Sequence, residues 1–478
     1  MIDTAALKNN ILELAFKGEL VSFVEGDGCI SELIQDIPSP SNKRLGLLKK
    51  GSDTVFPYTL PDNWEIVPLG KITSYGDTPT KIMASDVESD TWILELEDIE
   101  AGGRLLKRTR VGSRQAIGEK TTFNRGQVLY SKLRPYLKKV LQADEDGICT
   151  PELIAFDVYA GINPRYIMYY LICNFVDKVI NQRSYGVKMP RVDAQFMVNL
   201  PVPLPTIAVQ NKIVDIIDEA FSAVETINKL QVQYSSDLEV LKSKIIDAGV
   251  QGKLTEQLPE DGTAEELLEQ IAEEKKALED AGVYKNRKKV NIKDSIQENE
   301  IFEIPTNWKW VRLGQLADVY GRIGFRGYTK ADLVEAGEGA ISMSPSNITF
   351  SGEIVFENNT YITWEKYDES PEIMVNEGDV LIVKTGSSFG KTGIIKEMPE
   401  KCTINPQLAI IKNILCDRYY LNLYLKSSHA WGQYKNFVIG AATPTFSQEK
   451  LANMLIPLPP IDEQKRIVNR MNEIFAAI

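Results

Sequence analysis

The sequence predicts an α/β (α+β) chain in which two similar strand-rich domains are joined by long antiparallel coiled-coil helices. Two observations support this fold class. One is a heptad pattern in residues 207–249, and the other is an internal repeat whose copies lie 234 to 254 positions apart. The length of 478 residues suggests about three domains. The repeat predicts a pseudo-twofold arrangement with a circular order of elements.

The heptad pattern is typical of a long helix that packs against another long helix. Its seam is interrupted by one polar residue, Gln231, and begins after Pro205. The apolar seam positions are Ile213, Ile217, Ala220, Val224, Ile227, Tyr234, Leu238, Leu241 and Ile245. Gly249 and Gly252 provide a stop signal, and at ~1.5 Å per residue the helix would be roughly 60 Å long. The alternative is a core helix of a bundle.

The repeat is clearest where each strand-rich domain opens. The stretch PYTLPDNWEIVPLGK at 57–71 returns as IFEIPTNWKWVRLGQ at 301–315. Further on, FNRGQVLYSK at 123–132 matches VNEGDVLIVK at 375–384. Runs such as TWILELEDI and VLIVK, bounded by turn residues, predict strands. Each copy is predicted to end in a short Pro-rich exit strand that leads into a helix.

The second of these helices starts at 461–478, where Ile467, Met471 and Ile474 repeat the first seam. Its continuation is found at the other end of the chain, because residues 7–34 match 241–268. We therefore expect both ends of the chain to lie along the central helix as its antiparallel partner. The predicted boundaries are 1–36 (N-terminal helical segment), 57–205 (first strand-rich domain), 206–282 (central helix and acidic return helix), 301–459 (second domain) and 460–478 (C-terminal helix start), with polar linkers at 37–56 and 281–300.

Residue chemistry argues against catalysis by this chain. The five cysteines are scattered, which fits a reducing cytoplasm and argues against structural zinc. The single histidine, His429, is interpreted as structural, and neither a Walker A loop nor a Gly-x-Gly-x-x-Gly motif is present. Asn163-Pro164-Arg165 and Asn405-Pro406-Gln407 are read as turns. No apolar run is long enough for a membrane span, and the N-terminus does not resemble a signal peptide.

Positive charge is concentrated in one stretch although the net charge is −12. Residues 104–139 contain eleven lysines and arginines and only Glu119 as an acid. Such a surface would neutralise phosphates and offer arginine to guanine edges. The alternatives are an ordinary basic surface here and a plain Gly-rich turn in the matching stretch KTGSSFGK. The candidate DNA-binding residues are Lys132, Arg134, Tyr136, Lys138, Lys139, Arg183, Lys188, Arg191, Lys384, Ser387, Ser388, Lys391, Thr443 and Thr445.

These pieces resemble the specificity subunit of type I restriction–modification systems. The resemblance rests on a doubled Pro-x-x-Trp-x-x-x-x-Leu-Gly opening, a doubled exit motif and a doubled helix end. The residues that carry it are Pro61, Trp64, Leu69, Gly70, Pro203, Pro205, Gln210, Ile213, Val214, Leu7, Gly18 and Leu20, and their repeats Pro305, Trp308, Leu313, Gly314, Pro457, Pro459, Gln464, Ile467, Val468, Leu241, Gly252 and Leu254. The resemblance covers nearly the whole chain.

The resemblance implies that each strand-rich domain is a target recognition domain that reads half of a bipartite, asymmetric site in double-stranded DNA. It implies that the helices space the half-sites and dock two modification subunits, which methylate adenine. Restriction subunits would join that complex. No cofactor is expected in this chain, whereas S-adenosylmethionine, ATP and Mg are expected in the partner subunits. The chain is predicted to be a non-catalytic, cytoplasmic protein without a membrane partner.

Two other functional classes stay open at the level of the sequence. A coiled-coil scaffold that binds only proteins would also contain long heptad helices, and the basic stretch 104–139 argues against it. An autonomous methyltransferase or nuclease would bind S-adenosylmethionine or cut DNA alone, which the absent motifs argue against.

Overall fold

The computed structural model describes residues 1–21, 30, 37–51, 53–114, 117–186, 188–281, 302–322, 327–439 and 444–478. The chain folds into two compact units, Met1–Gln233 and Tyr234–Ile478. Their boundary falls inside the predicted long helix, which runs without interruption from Ile207 to Val250 and is called the central helix below. In the described ranges no helix is both long and apolar enough to cross a bilayer. Most of the linker 281–300 and part of the segment 1–36 lie outside the described residues.

Unit 1 contains short strands, with helices that precede and follow them in the chain. Its strands are Glu65–Pro68, Lys81–Met83, Trp92–Leu94, Thr109–Arg110, Glu119–Phe123, Val128–Ser131, Val140–Gln142, Gly147–Cys149, Leu153–Phe156 and Pro201–Leu204. Its helices, besides the central helix, are Thr4–Lys17, Asn42–Leu48, Leu69–Ile72, Pro164–Ile172, Asn174–Arg183 and Ala194–Val198.

The strands of unit 1 form three sheets. A five-stranded sheet has the order 81–83, 119–123, 147–149, 92–94, 109–110, and a three-stranded sheet has 128–131 in its centre. All pairings are antiparallel except that of Trp92–Leu94 with Gly147–Cys149. A two-stranded sheet pairs Glu65–Pro68 with the exit strand Pro201–Leu204, so the domain is closed where the chain enters and leaves it.

Unit 2 repeats this plan. Its strands are Lys309–Arg312, Asp318–Tyr320, Leu333–Val334, Gly339–Met343, Tyr361–Thr363, Val380–Val383, Thr392–Ile394, Cys402–Ile404, Leu408–Lys412 and Leu455–Leu458. Its helices are Ala264–Asp280, Leu313–Leu316, Trp364–Asp368, Arg418–Leu425, Ser428–Phe437, Gln448–Ala452 and Ile461–Ala477. Again one strand pair is parallel, Gly339–Met343 with Cys402–Ile404, and again entry and exit strands pair, Lys309–Arg312 with Leu455–Leu458.

Each exit strand contains proline, which lacks an N–H and therefore cannot donate to the sheet. Tyrosine hydroxyls from the neighbouring helix bind the carbonyls of these strands. In unit 1, Tyr166 donates to the Pro203 carbonyl at 2.6 Å, and in unit 2, Tyr420 donates to the Pro457 carbonyl at 2.8 Å. Both tyrosines are buried, and burial holds the pKa of each well above its usual range. The bonds fix each exit strand against its domain.

A buried glutamine then fixes the helix that follows each exit strand. Gln210 donates to the Pro205 carbonyl at 2.8 Å and accepts from the Asn163 amide at 3.0 Å. Gln464 makes the same pair of bonds in unit 2, to the Pro459 carbonyl and from the Asp417 amide, both at 2.8 Å. Because each glutamine joins a strand end, a helix start and a second helix, this position needs a side chain that both donates and accepts.

The end of the helix in each copy is fixed by a glycine with a left-handed backbone. Gly18 has φ of 77°, and an added Cβ would lie 2.6 Å from Pro61. Gly252 has φ of 73° and the same 2.6 Å approach to Pro305. The repeated Gly, Pro and Trp motifs therefore describe one junction, in which the helix ends against the opening turn of a domain.

In each unit a terminal helix packs antiparallel to the central helix. In unit 1 the Ile2 amide donates to Gln231 Oε1 at 2.5 Å, and Lys8 lies 3.7 Å from Glu225. Sequence numbers therefore fall along one helix as they rise along the other. In unit 2, Glu463 contacts Thr255 and Gln257, whereas Met471 lies against Gly249. The predicted antiparallel helix pairing is confirmed within each unit.

The predicted seam is buried only in the first half of the central helix and at the start of the C-terminal helix. Ile213, Ile217 and Val224 are buried in unit 1, as are Ile467 and Met471 in unit 2. Ala220, Ile227, Leu238, Ile245 and Ile474 are half-buried. Tyr234 and Leu241 are 60% and 44% exposed, because no described segment packs across them. The predicted seam is therefore left partly exposed in the middle of the central helix.

The segment 37–56 differs from the plain linker expected from its polarity. It contains the helix Asn42–Leu48, and Arg44 on that helix is buried. The Arg44 guanidinium lies 2.8 Å from the Asp77 carboxylate and 2.9 Å from the Tyr159 hydroxyl. The Asn199 amide also donates to the Leu47 carbonyl at 2.9 Å. A buried arginine is tolerated because it is paired, so this helix is part of the domain surface.

Candidate nucleic-acid interface

Two predicted DNA-binding loops of unit 1, 132–139 and 183–191, lie side by side. The Arg134 amide donates to the Pro190 carbonyl at 2.7 Å, and the Val192 amide donates to the Lys132 carbonyl at 3.2 Å. Tyr185 and Arg191 exchange two main-chain hydrogen bonds of 3.0 and 2.9 Å. These two stretches, called the unit 1 loop pair, therefore form one surface although about fifty positions separate them in the chain.

The matching loops of unit 2, 384–391 and 439–447, form the unit 2 loop pair by the same main-chain bonds. The Gly386 amide donates to the Pro444 carbonyl at 3.0 Å, and the Phe446 amide donates to the Lys384 carbonyl at 3.0 Å. Ile439 and Thr445 exchange two bonds of 2.9 and 3.2 Å. Two copies of one backbone arrangement thus present different side chains. The candidate Thr443 lies outside the described residues.

The first difference concerns Arg134 and its counterpart Gly386. Arg134 has a left-handed backbone, with φ of 49° and ψ of 59°, and its side chain is exposed. Within the described part of the chain its guanidinium has no hydrogen bond or ion pair. Gly386 at the matching position also has a positive φ, of 107°, and as a glycine it has no side chain. Non-glycine residues with positive φ are strained and cluster at functional sites. Tyr136, which is 47% exposed, lies beside Arg134 on the same turn.

The second difference is a charge cluster beneath the unit 1 loop pair. The Glu152 carboxylate accepts from the Arg191 guanidinium at 2.7 and 3.3 Å, and Lys132 Nζ lies 3.9 Å away. The Arg191 hydrogen bonds, followed by the Lys132 charge, hold the pKa of Glu152 below its usual value. This pairing orients the Arg191 guanidinium through Nε and Nη2. Its other N–H groups can still donate to a ligand.

In unit 2 the corresponding positions are Lys384, Gln407 and Thr445. The Thr445 hydroxyl lies 2.7 Å from the Thr385 hydroxyl, so the threonine is held by a neutral bond. Lys384 is half-buried, and burial lowers its pKa. Burial also lowers the pKa of Lys391. A cation that has lost part of its hydration gains from contact with an anion such as a phosphate. Ser387 is exposed and Ser388 half-buried on the turn between these lysines.

Four further candidates divide into two groups. Lys138 Nζ donates to Asn174 Oδ1 at 3.1 Å and lies 3.4 Å from Asp177, and Lys139 Nζ donates to the Leu96 carbonyl at 2.6 Å. Both ammonium groups therefore serve contacts inside the domain. Arg183 and Lys188 are exposed. Within the described part of the chain, neither Arg183 nor Lys188 makes an ion pair.

The rest of the basic stretch 104–139 is largely neutralised by acids from elsewhere in unit 1. Arg108 lies 2.5 Å from Asp144 and 2.7 Å from Glu145. Arg114 lies 2.7 Å from the buried Asp98, whose hydrogen bonds raise the pKa of the arginine. Several cations of the expected basic surface are therefore paired inside unit 1, whereas Lys107 and Arg125 stay exposed.

His429, interpreted from the sequence as structural or surface, is half-buried and makes its contacts inside unit 2. Its Nε2 accepts from the Gln251 side-chain amide at 2.7 Å, its ring packs on Phe302 at 4.1 Å, and burial lowers its pKa. The four described cysteines are buried thiols without disulfide partners. In the part of the chain that is described, no three His, Cys, Asp or Glu side chains are grouped to hold a metal ion.

The comparisons with known proteins agree on one family. The profile described as "Type I restriction modification DNA specificity domain" matches residues 61–233 and 305–478. The EcoAI specificity subunit of a type I restriction enzyme from Escherichia coli is 25% identical over 546 residues, covering 98% of this chain and 88% of that protein. The MjaVIII specificity subunit from Methanocaldococcus jannaschii is 20% identical over 429 residues, covering 87% of each.

Two solved structures share the fold. One comes from a description of complex assembly and conformational transition of the type I R-M system. It has a TM-score of 0.62, 19% identity and coverage of 88% of this chain and 92% of that chain. The other is the HsdS subunit from Thermoanaerobacter tengcongensis, with a TM-score of 0.51, 18% identity and coverage of 88% and 91%.

Proposed function

Because the chain belongs to the family of type I restriction modification DNA specificity domains, we propose that it is the sequence-reading subunit of a type I restriction–modification enzyme. Its two target recognition domains, one in each unit, bind the two halves of a bipartite, asymmetric site in double-stranded DNA. The chain itself is non-catalytic. As a protein that acts on cellular DNA, it works in the cytoplasm.

One observation carries the proposal of two different half-sites. The loop pairs of the two units are closed by matching main-chain hydrogen bonds, yet they present different side chains at matching positions. Arg134 stands where unit 2 has Gly386, and Arg191 stands where unit 2 has Thr445. Side chains that meet base edges decide sequence, whereas main-chain and lysine contacts to phosphates decide register. Equal scaffolds with unequal side chains suit the reading of two unlike sequences.

In unit 1 we assign base reading to Arg134 and Arg191. A guanidinium can donate two parallel hydrogen bonds to O6 and N7 of guanine, which is the commonest specific contact in the major groove. Arg134 is exposed and carries no competing partner in the described ranges, whereas Arg191 is oriented by Glu152. Arg183 and Lys188 are suited to phosphates on either side.

In unit 2 we assign base reading to Ser387, Ser388 and Thr445, whose hydroxyls both donate and accept. Lys384 and Lys391 are assigned to phosphates, since their pKa values are already lowered by burial and an adjacent anion would restore full hydrogen bonding. This half-site would therefore lose affinity with added salt, as phosphate contacts do.

Methylation of adenine is assigned to two partner modification subunits, which bring S-adenosylmethionine. Restriction subunits, with ATP and Mg, complete the complex. The surface that receives the modification subunits is assigned to the long helices, because the apolar side chains of Tyr234 and Leu241 are exposed there. Apolar surface of this kind is typical of a protein interface core.

The test is sequencing of methylated adenines in a host that expresses the chain with its modification subunits. Arg134→Ala should relax one base of the half-site read by unit 1 and leave the other half-site unchanged. Lys107→Ala, which removes an exposed lysine of the same unit outside the loop pair, is the matched control and should leave both half-sites intact. If Arg134→Ala altered the half-site read by unit 2, or altered neither, the assignment of the loops would be wrong.

A further inference from the structure

An exposed phenylalanine stands at the tip of a tightly held turn in unit 2. The Thr349 amide donates to the Glu353 carbonyl at 2.9 Å, and the Gly352 amide donates to the Thr349 carbonyl at 3.1 Å. The Thr349 hydroxyl also accepts from the Glu353 amide at 2.9 Å. Phe350 projects from this turn and is 93% exposed, more than any other large apolar side chain of the described chain except the terminal Met1.

The surroundings of Phe350 are cationic. Lys391 Nζ lies 5.1 Å from the centroid of the phenyl ring, within the range of a cation–π contact. Lys426 Nζ donates to the Ser351 carbonyl at 3.0 Å and so supports the turn from below. Lys391 belongs to the unit 2 loop pair, which places Phe350 at the edge of the surface assigned to DNA.

Unit 1 has the same turn without the aromatic ring. There the Glu100 amide donates to the Arg104 carbonyl at 2.8 Å. Ile99 pairs with Leu105 in an isolated β-bridge, as Ile348 pairs with Ile354 in unit 2. The residue at the position of Phe350 is Ala101. The ring is thus not required to form the turn, which indicates that it serves something outside the chain.

We propose that Phe350 inserts into the base stack at the half-site read by unit 2, with Lys391 neutralising the adjacent phosphate. This inference rests on the proposed function. Proteins that distort DNA insert single apolar side chains such as phenylalanine between base steps, next to basic residues that bind the backbone. A protein interface core would instead surround the ring with further apolar groups and few charges. The neighbours here are Thr349, Ser351, Gly352 and Glu353 on the turn, together with the two lysines.

The experiment uses the full chain with its modification subunits and duplexes that carry 2-aminopurine at successive positions of the half-site. Unstacking by Phe350 should raise the fluorescence at one step, and Phe350→Ala should abolish that rise. The same variant should bind the duplex about tenfold more weakly, since one stacked aromatic ring contributes roughly this much. Leu333→Ala, which removes an exposed apolar side chain of the same unit away from the loop pair, should change neither reading.

The remaining outcomes separate this inference from the function beneath it. If the wild-type complex bound its duplex specifically but Phe350→Ala left binding and fluorescence unchanged, the wedge would be refuted and the function would stand. If the wild-type complex did not discriminate between duplexes, the function and the wedge would both fail. A Phe350→Ala chain that failed to assemble with modification subunits, while its fluorescence change on DNA persisted, would place Phe350 in a protein interface and overturn the proposal.

Discussion

Replacing Arg134 by glycine should raise stability and lower specificity at once. The residue occupies a left-handed backbone conformation, and its counterpart in unit 2 is already a glycine. The side chain is exposed and makes no contact in the described ranges that stabilises the fold. We therefore expect Arg134→Gly to relieve strain, whereas Arg134→Ala keeps the strain and removes the same side chain. The two variants separate the backbone effect from the loss of the guanidinium.

The magnitudes follow from the backbone. A left-handed non-glycine residue costs roughly 1–2 kcal/mol. Glycine returns roughly 0.4–1 kcal/mol of this because its unfolded chain is freer. Arg134→Gly should therefore gain about 0.5–1 kcal/mol, which corresponds to a rise in Tm of about 1–4 °C for a unit of this size. Loss of a bidentate guanine contact should reduce discrimination by about 1–3 kcal/mol, or roughly 5- to 150-fold, in both variants.

Two measurements check this prediction. Thermal unfolding of the full chain should rank Arg134→Gly above the wild type, with Arg134→Ala close to the wild type. Competition binding between duplexes that differ at one base pair of the half-site should show equal loss for both variants. Gly386→Ala, which introduces a side chain where φ is 107°, should move stability in the opposite direction.

The reasoning would be refuted by equal stabilities of the glycine and alanine variants, since the left-handed backbone would then carry no strain. It would also be refuted if Arg134→Gly kept full discrimination while Arg134→Ala lost it. In that case the loss would come from loop geometry, and the guanidinium would not be the reading group.

Three further predictions concern the frame and the charge cluster. Glu463 is buried and accepts three hydrogen bonds from neutral donors. In urea unfolding, Glu463→Ala should lower the free energy of unfolding by about 3 kcal/mol or more, and Glu463→Gln by about 1–2 kcal/mol. Equal losses in the two variants would contradict a hydrogen-bonding role. Gly252→Ala should destabilise by about 2–3 kcal/mol because strain and a clash combine, whereas Gly51→Ala, with φ of 64° and open space around it, should cost about 1 kcal/mol in the same thermal assay. The pKa of Glu152 is lowered from 4.5, chiefly by its hydrogen bonds from Arg191, so its stabilising contribution is fully present above about pH 4.5 and is lost as pH falls through the lowered pKa. Glu152→Gln should therefore be less stable than the wild type at pH 7, and the difference in urea midpoint should shrink as pH falls below about 4.5. A difference that stayed constant with pH would exclude this linkage.

The sequence repeat predicted the helix ends, the exit strands and the long helix because each of them depends on local chemistry. Glycine at a left-handed helix end, proline in an exit strand and a heptad helix each carry a signal over a few residues. The long helix was therefore predicted within one residue of its observed bounds, Ile207–Val250. The break at Cys173 between the helices Pro164–Ile172 and Asn174–Arg183 carries no such local signal, since both helices share one apolar pattern.

The site was predicted less completely because its chemistry depends on distant partners. The eleven cations of 104–139 suggested a broad basic surface, but Asp144, Glu145 and Asp98, which pair with three of its arginines, lie outside that window. The partnership of Lys132 and Arg191 through Glu152 joins three separate stretches. Exposure of Phe350 likewise depends on which strands meet around it. No one-dimensional count of charges or apolar residues contains this information.

Both loop pairs are closed by matching main-chain hydrogen bonds, and this has a consequence for inheritance. The bond from the Arg134 amide to the Pro190 carbonyl survives any non-proline residue at position 134, as its counterpart at Gly386 already demonstrates. Under the proposed function, point mutations at such positions would change what the surface recognises while the loop keeps its shape. Lineages of such chains would then drift between DNA targets without first passing through misfolded intermediates.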